Sequence, residues 1–235
     1  LEIPVVNDAT YNTMQNDRGV MRFGEAYEEI LSDEDSKKYM FFPVRSRFSF
    51  NHSELGKLEQ VENAINDLVK TELDLNRIFP GFGTHRGYYG SQLIAGRGQA
   101  TDEKTTGTGW HCALGNNWFI QVAGTKRWYF MDPKYSAMMS PLRGGKVNMQ
   151  TGVSNMGELQ KHIPLRYADI ETGDLLWNPD WEWHTIKNFA GLSIGVPLRE
   201  ASIPTSLRNN LQYSLIALTN LILSKVGIEV GGYPN

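Results

Sequence analysis

Five histidines occur in the 235 residues, and two of them, His111 and His184, sit in segments whose other residues could do chemistry with them. The first segment runs Thr108-Gly-Trp-His-Cys-Ala-Leu-Gly-Asn-Asn-Trp-Phe-Ile-Gln-Val-Ala-Gly-Thr-Lys-Arg-Trp-Tyr-Phe-Met-Asp-Pro133, the second Gly173-Asp-Leu-Leu-Trp-Asn-Pro-Asp-Trp-Glu-Trp-His184. Neutral imidazoles suit iron(II), and two of them on neighbouring strands can converge on one ion while leaving positions open for a chelating cosubstrate and dioxygen. A lysine at the far end of such a pocket, Lys126, supplies a point charge for a carboxylate. Taken singly, each residue has a plainer reading: an isolated interior histidine is usually a hydrogen-bonded core residue, and a strand lysine is usually solvated. His52, His85 and His162 lack comparable surroundings and read as surface or loop residues.

The elements that must position these residues are mostly strands. From Arg86 onward the chain breaks into short β-type runs separated by Gly, Pro and Asn: Gly87 to Ala95, Trp118 to Val122, Arg127 to Met131, Asp174 to Trp177 and Leu192 to Leu198. That spacing predicts an antiparallel barrel or sandwich. Before it, Leu55, Leu58, Val61, Ile65, Leu68 and Val69 recur at helical spacing between Asn51 and Asp74, with Ser53 as N-cap. After it, Leu207, Leu211, Leu215, Leu218 and Ile222 form one apolar stripe, widened by Ile216 and Leu223. That stripe needs a partner, either the chain's own barrel or a second copy in a homodimer. Trp110, Trp118, Trp128, Tyr88 and Tyr89 read first as core and second as the lining of a substrate cleft.

Composition sets the bounds. A chain of this length accommodates one domain over 1–235, with a barrel core at about 86–200, flanking elements over 1–85 and a C-terminal helix at 203–226. Net charge is −3, with 21% charged residues, so neither nucleic acid nor an anionic membrane is the expected partner. The longest apolar stretch, Leu211 to Val226, is interrupted by Gln212, Ser214, Thr219, Asn220 and Ser224 and makes a poor membrane span. The single Cys112 rules out an internal disulfide framework and leaves the redox compartment open. The start, Leu1-Glu-Ile-Pro, has no initiator Met and no secretion signal; a trimmed chain is expected, and the location in the cell is unknown.

Together the two segments resemble the JmjC and cupin-like iron(II)/2-oxoglutarate oxygenases, most closely the branch that includes the asparaginyl hydroxylase of hypoxia-inducible factor. The resemblance implies a mainly β fold, a double-stranded β-helix of the cupin or jelly-roll kind with flanking helices. It implies His111 and His184 as metal ligands. Thr108 and Lys126 are implied as the hydroxyl and cation for the distal carboxylate of 2-oxoglutarate, and Asn117 and Gln121 as polar positions between. Arg199, with Pro197 on the strand after His184, falls where the family places a further pocket-lining polar residue; it is expected to contact a carboxylate or the substrate, or else to close a surface ion pair.

One position departs from the pattern. Family hydroxylases carry Asp or Glu two residues after the first histidine, and here that position is Ala113. Residues two apart on a strand share a face, so Ala113 is expected to point at the metal and Cys112 away from it. Three accounts follow. Chloride or bromide fills the missing ligand position, as in iron(II)/2-oxoglutarate halogenases, giving a catalyst that chlorinates an unactivated C–H bond. Alternatively the protein is a hydroxylase, with an engineered Asp-to-Ala change or with water, Glu182 or Asp180 completing the site. In the third account it is a catalytically silent binding module. Halogenation is the preferred expectation, with iron(II), 2-oxoglutarate and chloride as cofactors and a small-molecule, carrier-bound or peptide substrate.

Overall fold

The computed structural model of the protein describes residues 2–7, 18–46, 90–99, 106–143, 147–200 and 202–228. The helix expected between Asn51 and Asp74, His52, His85, Tyr88, Tyr89 and positions 100–105 lie outside the described residues.

In chain order the elements are β1 (Glu2–Val6), β2 (Arg18–Arg22), α1 (Phe23–Ser32), β3 (Tyr39–Ser46), β4 (Gly90–Gly98), β5 (Gly107–Ala113), β6 (Asn116–Ala123) and β7 (Lys126–Met131). A 3-10 turn at Pro133–Met139 leads to β8 (Pro141–Arg143), β9 (Asn148–Thr151), α2 (Met156–Gln160), β10 (Leu165–Ile170), β11 (Leu175–Asn178), β12 (Trp183–Asn188), β13 (Gly191–Glu200), α3 (Ile203–Asn209) and α4 (Leu211–Lys225). The strands form two antiparallel sheets, β11-β6-β13-β4-β3-β1-β2 and β10-β7-β12-β5-β9-β8. The fold is mainly β, a jelly roll of the cupin type.

Period-2 patterning explains the layers. Along β7, Lys126, Trp128 and Phe130 are buried while Arg127 and Tyr129 alternate with them on the other face. Trp128 and Phe130 join Val6, Tyr39, Ile94, Phe119, Ile170 and Ile186 in a cluster drawn from both sheets, so this cluster is the filling between them. Each sheet also has a covered outer face. On the first, Trp118, Ile120, Val196 and Leu198 pack with Ala26 and Ile30 of α1. On the second, Trp110, Cys112 and Met131 pack with Met156 of α2 and with Tyr213 and Ala217 of α4. Trp110, Trp118 and Trp128 are therefore core residues.

The C-terminal segment differs from its sequence reading in two ways. It is divided, because Asn210 has an extended backbone and its side-chain oxygen accepts from Tyr213 N, ending one helix and capping the next. Its expected apolar stripe is also only partly covered: Leu211, Leu215 and Ile222 are exposed and Leu207 and Leu218 half-buried, whereas Tyr213, Ser214, Ala217 and Asn220 are buried. The polar residues decide this. Trp181 Nε1 donates to Ser214 Oγ at 2.8 Å and the Trp181 and Tyr213 rings meet edge to face, so a buried indole donor selects the helix face that can accept from it. Among the described residues no helix is long and apolar enough to cross a membrane.

Candidate functional site

Strand β5 carries His111, and β12 carries His184 directly opposite it in the antiparallel register. Their rings come within 4.2 Å, centroid to centroid. Each ring is oriented by its own strand: His111 Nδ1 lies 2.8 Å from Gly109 O and His184 Nδ1 lies 2.9 Å from Glu182 O. Because a carbonyl only accepts, both Nδ1 atoms carry the proton and the lone pairs fall on Nε2, that of His184 lying 3.4 Å from the Asn178 amide nitrogen. Burial lowers His111 to about 4, against the pull of the Gly109 carbonyl. His184 is lowered well below the usual imidazole range, first by burial and then by His111 beside it. Both imidazoles are thus neutral at pH 7. Trp128 stacks on His184 at 5.3 Å and walls that side of the pair.

The pairing of β5 with β12 contains a bulge: His184 opposes His111, yet Ile186 opposes Thr108, so two steps on β12 match three on β5. The extra residue resets the alternation and brings Thr108 and His111, three apart, to the same face. Thr108 there shares a side-chain hydrogen bond with Tyr39. Beyond the bulge, Trp110 and Cys112 enter the outer core cluster. Ala113 lies on the His111 face of the pleat.

The closed end of the site is built around Lys126, which is fully buried. Its Nζ donates to Asn188 Oδ1 at 2.6 Å and reaches Tyr39 OH at 3.5 Å. Asn188 Nδ2 in turn donates to Thr106 Oγ1 at 2.7 Å, and Thr106 Oγ1 to Arg97 O at 2.5 Å, which fixes the amide oxygen toward the lysine. Lys126 Nζ also lies 5.5 Å from the Tyr39 ring and 5.9 Å from the Phe119 ring. Among the described residues it has no carboxylate partner, and burial lowers the ammonium to about 7. Gly96 makes room for this arrangement: a Cβ there would meet the Tyr39 ring at 2.3 Å and Asn188 Nδ2 at 3.1 Å.

Opposite the histidines, a row of polar residues crosses the first sheet. Asn117 is the register partner of both Asn178 on β11 and Arg199 on β13, so all three share the interior face. Asn178 Nδ2 lies 3.2 Å from His184 Nδ1. The side-chain oxygens of Asn117, Asn178 and Gln121 are buried without a hydrogen-bond partner. Gln121 is anchored through its Nε2, which donates to Ala123 O and Ser193 Oγ.

Thr108, His111, Ala113, Asn117, Lys126, His184 and Arg199 thus come from five strands to one interior space. The carboxylates considered as replacement ligands have other partners: Glu182 is paired with Arg166, while Asp180 accepts from Gly115 N and Ser206 Oγ. Among the described residues no group of three or more His, Cys, Asp or Glu side chains gathers. His162 is on the surface beside Glu158. Tyr39, Asn178 and Asn188 are site residues that sequence reasoning missed. For Asn188 a signal existed, since it lies on the His184 face of an alternating strand; Tyr39 arrives from a remote strand with no local mark.

No protein-family model matches the chain, and no curated protein matches it. Among solved structures it is similar over part of its length to hydroquinone 1,2-dioxygenase from Sphingomonas sp. TTNP3 bound to 4-hydroxybenzoate (8% identity, TM-score 0.35, covering 49% of this chain and 60% of that one). It is likewise similar to the Drosophila melanogaster CENP-C cupin domain (8%, TM-score 0.30, 46% and 59%) and to Peruvianin-I, a cysteine peptidase from Thevetia peruviana latex (10%, TM-score 0.32, 49% and 52%). The chain spans about half to three fifths of each of these structures.

Proposed function

We propose that the protein is an iron(II)- and 2-oxoglutarate-dependent enzyme of the JmjC and cupin-like kind that halogenates an unactivated C–H bond. The observation that carries this reading is one interior space that holds two neutral imidazoles with their lone pairs on Nε2, a methyl group on the same strand face, and a fully buried lysine without a counter-ion among the described residues. An unpaired buried ammonium is costly, so its place in the fold is best explained by an anion that it receives.

The donor set fits the cofactors. His111 and His184 would hold iron(II), Lys126 with Thr108 and Tyr39 would take the distal carboxylate of 2-oxoglutarate, and the buried amide oxygens of Asn117 and Asn178 face the same space. When bound, iron and 2-oxoglutarate supply the oxidising power for hydrogen abstraction. The residues of the chain fix the imidazole tautomers, hold the cosubstrate's far end away from water and, through Ala113, leave a metal position for an anion small enough to sit beside a methyl group. Chloride or bromide is that anion, and Glu182 and Asp180, the acids nearest His184 in sequence, are engaged elsewhere. The outward stripe of Leu211, Leu215 and Ile222 supports a homodimer formed through α4.

The test is spectroscopic. Anaerobic addition of iron(II) and then 2-oxoglutarate is expected to give the metal-to-ligand charge-transfer absorbance of a chelated 2-oxo acid, and bromide is expected to shift that band. Absence of the band refutes the enzyme reading; a band insensitive to bromide moves the assignment to hydroxylation.

A further inference from the structure

Among the described residues, Lys126 is one of two cations in the site. Arg199 is the other, and its surroundings differ. It is half-buried, where Lys126 is fully enclosed, and it stands on the interior face in direct register with Asn117, which is itself in register with Asn178. Asn178 touches His184, so the row of three comes up against the imidazole pair. The positive charge of Arg199 reaches both histidines, lowering each. Among the described residues no hydrogen bond or ion pair engages its guanidinium, although this side chain has five donors in a planar fork suited to a carboxylate. Beside it, Asn117 and Asn178 are 4% and 3% exposed, and their side-chain oxygens have no partner.

Charge accounting then separates two anions. On the reading given above, the distal carboxylate of 2-oxoglutarate neutralises Lys126, and its 2-oxo acid end neutralises part of the metal. Among the described residues Arg199 is left without a counter-charge. Its partial exposure gives an incoming molecule access that Lys126 does not have.

We infer that Arg199 is the receptor for a carboxylate of the organic substrate, which makes that substrate a small carboxylic acid held by its charge close to the metal. The Asn117 and Asn178 side-chain oxygens offer acceptors to an N–H or O–H group on the same molecule. This rests on the iron and 2-oxoglutarate reading of the site for the placement of the first anion, but the guanidinium and its neighbours stand independently of it.

The experiment uses acetate as a bare carboxylate and acetamide as its neutral counterpart. Each is titrated into the purified protein, once without metal and once with iron(II) and saturating 2-oxoglutarate under anaerobic conditions, and binding is read from the NMR relaxation of the methyl protons. Acetate is expected to bind about tenfold or more tightly than acetamide, the size of one charge-assisted contact. Arg199→Gln is expected to abolish the preference and Arg199→Lys to restore part of it. Equal binding of the two probes to the wild-type protein, or a preference that survives Arg199→Gln, overturns the inference. So does one-for-one displacement of acetate by chloride, which would put acetate on the metal. If Arg199→Gln instead weakens 2-oxoglutarate tenfold and acetate is excluded once 2-oxoglutarate is bound, the arginine belongs to the cosubstrate and the inference falls. A missing charge-transfer band would refute the cofactor reading alone, because the metal-free titration, carried out in the Lys126→Met background so that acetate has only Arg199 to pair with, still decides the role of Arg199.

Discussion

Exchanging Lys126 for methionine keeps the length of the side chain and removes its charge, and the structure sets what should follow. In the folded, ligand-free protein, burial brings the ammonium from 10.5 down to about 7. At about 1.4 kcal/mol per pH unit, that gap makes the buried amine a burden of roughly 5 kcal/mol near neutral pH. Lys126→Met removes the burden but leaves Asn188 Oδ1 without its 2.6 Å donor, a loss of about 1–3 kcal/mol. The variant should therefore be more stable than the wild-type protein by about 2–4 kcal/mol at pH 7 while losing its affinity for 2-oxoglutarate. The sign of the pH dependence follows from the same numbers. Between about 7 and 10.5 the unfolded chain holds a proton that the folded chain has released, so wild-type stability rises with pH in that window, and the margin of the variant closes by about 1.4 kcal/mol per unit. Urea unfolding of both metal-free proteins at about pH 6.5, 8 and 9.5 measures the margin, since every other titrating group is shared. A variant less stable than wild type at the lowest pH, or a margin that ignores pH, would mean that the fold already neutralises the ammonium. The argument that an anion belongs there would then fail.

Three further outcomes are expected. Gly96→Ala drives a methyl group into the Tyr39 ring at 2.3 Å and should cost about 1–3 kcal/mol in urea unfolding; unchanged stability would show that the ring can swing aside. Ala113→Asp places a carboxylate on the His111 face and should tighten iron(II) by about tenfold or more while ending the bromide shift of the charge-transfer band, whereas a persisting shift would put the halide elsewhere. Leu215→Glu combined with Ile222→Glu should convert a dimer to a monomer in sedimentation without altering the spectroscopic titration, and a wild-type protein that already sediments as a monomer would dismiss the homodimer.

The barrel strands were legible because alternation between two covered faces leaves a strong periodic mark, and β6, β7, β11 and β13 lie within a few residues of their expected runs. His111, Ala113, Lys126 and His184 were legible because they share two segments. What could not be seen from spacing was the bulge in β5: Thr108 and His111 are three positions apart, a gap that simple alternation assigns to opposite faces, and only the register with β12 reconciles it. Tyr39 was hidden for a related reason, since a closing contact made by a strand 87 residues away leaves no trace near Lys126. The C-terminal stripe misled because counting apolar residues ignores what a buried indole requires. Ser214 contributes less apolar surface than Leu215, yet it is the residue that can accept from Trp181, and that requirement turns the helix.

The two carbonyls that hold the imidazoles, those of Gly109 and Glu182, have a bearing on how the site can change over evolutionary time. An imidazole steered by a neighbouring carboxylate or amide loses its orientation when that neighbour mutates. Here both acceptors are main-chain atoms, present whatever side chain occupies their positions, provided the strand keeps its course. The metal-ready tautomer is in that sense inherited from the backbone, and substitutions elsewhere in the interior can alter which anions and substrates are accepted without disarming the pair. On the proposed reading, a position such as Ala113 could then vary between methyl and carboxylate while the same two histidines keep their orientation.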